Sequence, residues 1–336
     1  MSIDLTTTLG PLTLCSPVIA ASGTFGYGTE TGTEVDLRRI GAVCVKGLTL
    51  LPRYGNPPPR LIETPCGIMN SVGLENPGID RFIEEVLPRI PPSLKVIVNI
   101  AGATLEDYVT LAAKASIPRV SALEVNVSCP NVKSQCLAWG LDPTATFELT
   151  RAVKASTHLP VIVKLTPNAP DVVKVALAAE QGGADIISLV NTFLALSIDV
   201  ERRRPVFSNT FAGLSGPAIM PIALRMVWQV AGAVGVPVIG MGGILTARDA
   251  LQFLMAGASA VAVGSANLRD PAAIPAIVNG IEEFMEREAV SHVSELVGAA
   301  RPEGPSNRGA GQAESRRRTG HCPENESADA LFQSRA

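Results

Sequence analysis

Where apolar runs of this sequence stop, residues that can bind ligands or move protons appear. In Asn126-Val-Ser-Cys-Pro-Asn131 a thiol stands between two amides, directly after the run Ala122-Leu-Glu-Val-Asn-Val127. Pro130 offers no backbone donor, so a strand cannot keep its ladder through it. Cys129 at such a strand end could exchange a proton with a planar polar ligand held by Asn126 and Asn131. The plainer alternative is a structural core cysteine, the commoner case. Lysines close two further runs, Lys46 after Ala42-Val-Cys-Val45 and Lys164 after Val161-Ile-Val163. Amides close two more, Asn99 in Val96-Ile-Val-Asn-Ile100 and Asn191, followed by Thr192, after Ile186-Ile-Ser-Leu-Val190. One lysine ending a run is usually a snorkelling surface residue. Two lysines and three asparagines, each ending a different run, point to one shared site.

Eight apolar runs supply those ends: the five above and Val18-Ile-Ala-Ala21, Val238-Ile-Gly240 and Ala260-Val-Ala-Val263. Between them, Leu105, Tyr108, Val109 and Ala112 repeat with helical spacing, as do Val172, Val175, Ala176 and Ala179, and Ala247, Ala250, Leu251 and Leu254. Asp142-Pro143 and Asp270-Pro271 read as an N-cap followed by proline in the first helical turn. Strands buried on both faces and alternating with helices imply parallel βαβ units. Eight of them predict an α/β protein, a (β/α)8 TIM barrel with its active site at the C-terminal strand ends. An open doubly wound sheet would carry a glycine-rich turn after its first strand; Ala21-Ser-Gly-Thr-Phe-Gly26 matches that poorly.

The rim is completed by small residues: Ser22, Gly47, Gly242-Gly243 and Gly264-Ser265. Gly240-Met-Gly-Gly-Ile244 and Gly264-Ser-Ala-Asn267 precede helices expected to be capped near Thr246 and Asp270, where such barrels bind phosphate. A phosphate there, with amides and lysines round the rim, suits flavin mononucleotide (FMN) better than a small sugar phosphate, and Lys164 could hold charge on the reduced ring. Two long Pro- and Gly-rich excursions, residues 51–79 and 192–217, are expected to be functional loops. Residues 132–142 are expected to close over the site. The catalytic domain is placed at residues 1–300. Residues 301–336, whose only large apolar side chains are Leu331 and Phe332, are expected to form a disordered tail.

Composition narrows the classes. The 336 residues are 46% hydrophobic and carry a net charge of −3, which gives no basic footprint for nucleic acid. No apolar run reaches a membrane span, and the first residues lack a signal-peptide pattern. Six cysteines form no CxxC pair, so no metal or iron–sulfur cluster is expected in this chain, and a cytoplasmic protein with reduced thiols is.

The sequence resembles the class 1 dihydroorotate dehydrogenases, specifically the catalytic subunit of the NAD-dependent 1B type, over about residues 1–300. The likeness runs through Ala21–Gly26, Lys46-Gly47, Gly55-Asn-Pro-Pro-Pro-Arg60, Asn70-Ser-Val-Gly-Leu-Glu-Asn-Pro-Gly78, Asn126–Lys133, Val163-Lys-Leu-Thr-Pro-Asn168, Leu214-Ser-Gly-Pro217 and Val238–Gly243. The resemblance implies oxidation of dihydroorotate to orotate in pyrimidine biosynthesis, with Cys129 as the base at C5. It implies that Lys46, Asn70, Ser71, Val72, Gly73, Leu74, Asn126, Asn191 and Thr192 hold the substrate, with Asn131 a further contact. Ser22, Lys46, Gly47, Asn99, Asn126, Lys164, Val190, Gly216, Gly242, Gly243, Gly264 and Ser265 would hold FMN. It further implies a homodimer joined by a subunit that carries FAD and a [2Fe–2S] cluster and passes electrons to NAD. The alternatives are a fumarate-using 1A enzyme or another FMN barrel acting on pyrimidines. Phe211-Ala212 and Trp139 depart from the family pattern, which has Thr-Gly and Phe there.

Overall fold

The computed structural model describes residues 3–28, 36–128 and 136–302. Cys129, Asn131, part of the expected lid and residues 303–336 of the expected tail lie outside the described residues. Eight parallel strands close into a barrel in sequential order. They are β1 (Val18–Ala20), β2 (Ala42–Cys44), β3 (Val96–Ile100), β4 (Ala122–Asn126), β5 (Val161–Lys164), β6 (Ile186–Leu189), β7 (Val238–Met241) and β8 (Ala260–Val263). The ladder between β5 and β6 completes the ring. All eight sequence runs thus become barrel strands, as a (β/α)8 fold requires.

Strand residues point alternately inward and outward. Outward residues such as Val43, Val98, Val125 and Val163 pack with the helices in the main core. Inward, the lowest layer is aliphatic: Ile19, Ala42, Ile97, Ala122, Ile162, Ile186, Ile239 and Ala260. A short N-terminal hairpin, Thr7–Leu9 paired with Leu12–Leu14, lays Leu9, Leu12 and Leu14 against that layer and closes the floor.

The helical ring comprises α1 (Leu105–Ala115), α2 (Pro143–Ala155), α3 (Val172–Gln181), α4 (Met220–Ala233), α5 (Ala247–Met255) and α6 (Ala273–Arg287). Asp142 caps α2 as its sequence indicates, accepting from the Thr144 and Ala145 amides, and Thr246 forms a capping box with Asp249. Asp270-Pro271 does not start α6. Asp270 ends the short helix Ser265–Arg269 and holds the turn through the Ala272 amide, so α6 begins at Ala273.

The two long excursions are not plain loops. Leu61–Thr64, Gly67–Asn70, Phe193–Leu196 and Phe211–Ser215 form one antiparallel four-stranded sheet in which Gly213 pairs with Asn70. Residues 136–141, expected within a lid loop, form a short helix. The barrel also extends past the boundary read at 300. The Arg301 guanidinium stacks on the Trp228 ring at 4.6 Å and donates to the carbonyls of Trp228 (3.0 Å) and Ala256 (2.7 Å). It thereby ties α4 to the end of α5.

Candidate active site

One cavity opens at the C-terminal ends of the strands. Ser22, Lys46, Gly47, Asn126, Lys164, Val190, Asn191 and Thr192 line it from the barrel, and Asn70, Val72, Gly73 and Leu74 from the first excursion. Gly216, Gly242, Gly243, Gly264 and Ser265 line its other wall. Two predicted residues stand behind the lining: Ser71, 1% exposed, and Asn99, fully buried. Sequence reasoning missed Thr24, Leu61, Ile68, Ser215, Ile219, Met241 and Leu268, which also line the cavity. Leu61, Ile68 and Ser215 belong to the antiparallel sheet, whose pairing no local pattern announces. Phe211 and Ala212 lie in that sheet as well, paired with Leu196 and Ala195 and away from the lining.

The amides on the β4 and β6 side are locked to one another. Asn126 Oδ1 accepts from the Ser128 amide (3.2 Å) and hydroxyl (3.0 Å), and Asn191 Nδ2 donates to Ser128 Oγ at 2.6 Å. Asn191 Oδ1 takes the Thr192 amide at 2.8 Å. Asn168 then ties the following chain down, donating to Thr192 O and accepting from the Leu194 amide. Each amide therefore presents a fixed donor or acceptor, which a planar ring ligand needs for orientation.

A clamp shapes residues 70–74. Asn56 Nδ2 donates to Ser71 O (3.0 Å) and Ser71 Oγ (3.2 Å). Arg60 holds Asn56 O and Tyr54 O, and pairs with Glu75 at 2.6 Å. Gly73 has φ +79°, and a Cβ there would stand 2.6 Å from the Asn56 side chain. Only glycine lets the segment pass so close to its clamp. This accounts physically for the Gly55–Arg60 motif.

Beneath the rim, the second inward layer is polar on β3 to β6. Glu124 on β4 accepts from Asn99 Nδ2 (2.6 Å), Cys44 Sγ (3.2 Å) and Ser188 Oγ (3.1 Å), and its carboxylate stands 3.5 Å from Lys164 Nζ. Burial first, and the Glu124 carboxylate second, push the Cys44 thiol well above its ordinary range, so it serves as a donor. Asn99 Oδ1 is buried without a protein partner. Buried acceptors are rarely left that way.

The opposite wall is backbone. Gly243 has φ +79°, and a Cβ on it would meet Gly216 O and Met220 Cβ at 2.7 Å. Glycine alone brings the β7 end against the turn at Gly216 and leaves main chain facing the cavity. Among the described residues no group of His, Cys, Asp and Glu could hold a metal ion. No described helix is long and apolar enough to cross a membrane.

The dihydroorotate dehydrogenase family profile matches residues 4–285. A protein of Desulforudis audaxviator, named dihydroorotate dehydrogenase B (NAD(+)), catalytic subunit, is 51% identical over 302 residues, which is 89% of this chain and 98% of that protein. Proteins of the same name from Geotalea uraniireducens and Bacteroides thetaiotaomicron are 52% and 48% identical over 298 residues, each covering 88% of this chain and 98% of the relative. With that match running through all but the last two residues of α6, and with relatives about half identical over most of its length, this chain belongs to the dihydroorotate dehydrogenase family.

Proposed function

We infer that this chain oxidises dihydroorotate to orotate with FMN as its cofactor, as the catalytic subunit of an NAD-linked enzyme. The observation that carries the reading is the convergence of Lys46, Asn126, Lys164 and Asn191 on the cavity that the glycine wall closes. FMN suits that cavity. Backbone at Gly242, Gly243 and Gly264 and the Ser265 start of a helical turn suit its phosphate. Asn99 Oδ1 offers a buried acceptor for a ring N–H, and Lys164 and Ser22 supply donors for ring carbonyls. Bound FMN supplies the two-electron acceptor that the reaction needs.

The chain's own residues do the rest. Lys46 neutralises the substrate carboxylate. Asn70 to Leu74, Asn126, Asn191 and Thr192 fix the ring amides, and their mutual hydrogen bonds make that grip rigid. Cys129, next in sequence after Ser128, takes the proton from C5 as a thiolate. Residues 1–300 make up the catalytic domain. The relatives' names, which specify a catalytic subunit and NAD(+), support a separate electron-transfer subunit and disfavour the fumarate-using alternative. That partner carries FAD and a [2Fe–2S] cluster and docks on a homodimer of this chain in the cytoplasm.

Anaerobic mixing with dihydroorotate tests the reading. The oxidised flavin band should bleach and a dye should be reduced, with NAD reduced only after the partner subunit is added. A protein that does not bind FMN, or whose band dihydroorotate leaves unchanged, overturns it.

A further inference from the structure

Glu124 takes no part in the chemistry above, yet side chains from four strands converge on its carboxylate. Cys44 comes from β2, Asn99 from β3, Lys164 from β5 and Ser188 from β6. The side chain is about 5% exposed and that of Lys164 about 7%. Inward layers of such barrels are ordinarily filled by branched aliphatic residues. A buried carboxylate is costly even when paired, and a hydrophobic layer would often be at least as stable. Its presence directly under the cavity therefore calls for a reason other than stability.

Two geometric consequences supply one. An ionised carboxylate only accepts hydrogen bonds, so Asn99 must turn its NH2 toward Glu124. The other end of that amide, Oδ1, then faces Gly47, close enough that a Cβ on Gly47 would lie 2.7 Å from it. Glu124 thus decides that the side chain directly behind Gly47, which lines the cavity, turns an acceptor toward it. Lys164, which lines the cavity, keeps its ammonium 3.5 Å from Glu124 Oε1. The positive charge shown to a ligand is therefore offset from below by a negative one.

We propose that Glu124 is a positioning residue for the flavin: it turns the Asn99 carbonyl toward the cofactor and offsets the charge of Lys164, and so sets the reduction potential. The proposal rests on the reading that FMN occupies this cavity. Two-electron reduction with uptake of one proton leaves a negative charge on the ring. A nearby cation favours the reduced form and a nearby anion disfavours it. Lys164 raises the potential and Glu124 lowers it.

The test is potentiometric titration of the bound flavin in wild type, Glu124→Gln, Lys164→Gln and the double variant, with excess FMN at neutral pH. Dissociation constants for oxidised FMN are measured alongside. Glu124→Gln should favour reduced over oxidised FMN about tenfold more than wild type does, about 30 mV for a two-electron couple. Lys164→Gln should shift the other way, and the double variant should fall between the two. A wild-type potential in Glu124→Gln, or shifts of one sign for both single variants, overturns the proposal. A merely structural role would weaken both flavin states alike and leave the potential unmoved. Should Glu124→Gln not fold, the double variant, which buries no unpaired charge, is compared with Lys164→Gln. It must have the higher potential, and equality overturns the proposal. Wild type failing to bind FMN would instead remove the functional reading, so the two failures are distinct.

Discussion

At the floor of the barrel, Leu9, Leu12 and Leu14 pack on Ile19, Ile97, Ala122, Ile162, Ile186 and Ile239, whereas two residues further along β3, β4, β5 and β6 stand Asn99, Glu124, Lys164 and Ser188. One strand period separates a dry aliphatic layer from a charged one. The floor is held by dispersion and burial, which tolerate no holes but specify no chemistry. The mouth is held by hydrogen bonds of fixed direction, which stabilise less and specify more. Stability and reactivity are thus stacked along one axis, and variants at the two levels should separate them.

The largest effect belongs to the mouth. Cys129→Ser should keep its flavin and its melting temperature while flavin reduction by dihydroorotate slows by about 10²–10⁴-fold, because a hydroxyl without a partner is a poor base. Rapid-mixing absorbance measures it, and a wild-type rate would remove Cys129 from the role. At the floor, Leu14→Ala should do the reverse, costing about 2–5 kcal/mol in denaturant unfolding while leaving the KM for dihydroorotate unchanged. A changed KM would mean that floor and mouth are coupled, and the contrast would fail.

Asn56→Ala removes the two Asn56 hydrogen bonds to Ser71 and should raise the KM about tenfold, roughly 1.4 kcal/mol, with little change in melting. An unaltered KM would show that the clamp is not needed at the site. The smallest effect lies away from both levels. Deleting residues from 303 onward should leave the thermal melt where it is. Starting the deletion at 301 should cost about 1–3 kcal/mol, because the Arg301 link between α4 and α5 goes with it. Coincident melts for the two truncations would show that this link contributes nothing.

Lys46, Asn126 and Lys164 were legible in the sequence because each closes an apolar run, so its place at the barrel mouth follows from strand period alone. The glycines after β7 and β8 were legible for the same reason. Glu124 was not, because it sits inside a run that reads as buried strand and only the closed ring brings its four partners within reach. Ser71 entered only through the family resemblance, and the antiparallel sheet escaped because its partners lie far off in sequence, 143 residues apart for Asn70 and Gly213. Composition there signals turns, and pairing is a tertiary choice. Asp270-Pro271 misled because a capping dipeptide can equally close a preceding turn.

The antiparallel sheet joins the excursion after β2 to the excursion after β6, and this has a consequence for how the protein is made. During synthesis the first excursion emerges long before the second, and the free edge of Gly67–Asn70 has nothing to pair with until residue 215 has left the ribosome. Long-range pairing of this kind is paid for late, after the loop between the two segments has been closed. Even then β7 and β8, with the glycine wall, are still missing. Flavin capture therefore reports on the whole chain: a nascent barrel stays colourless until its last strand is in place.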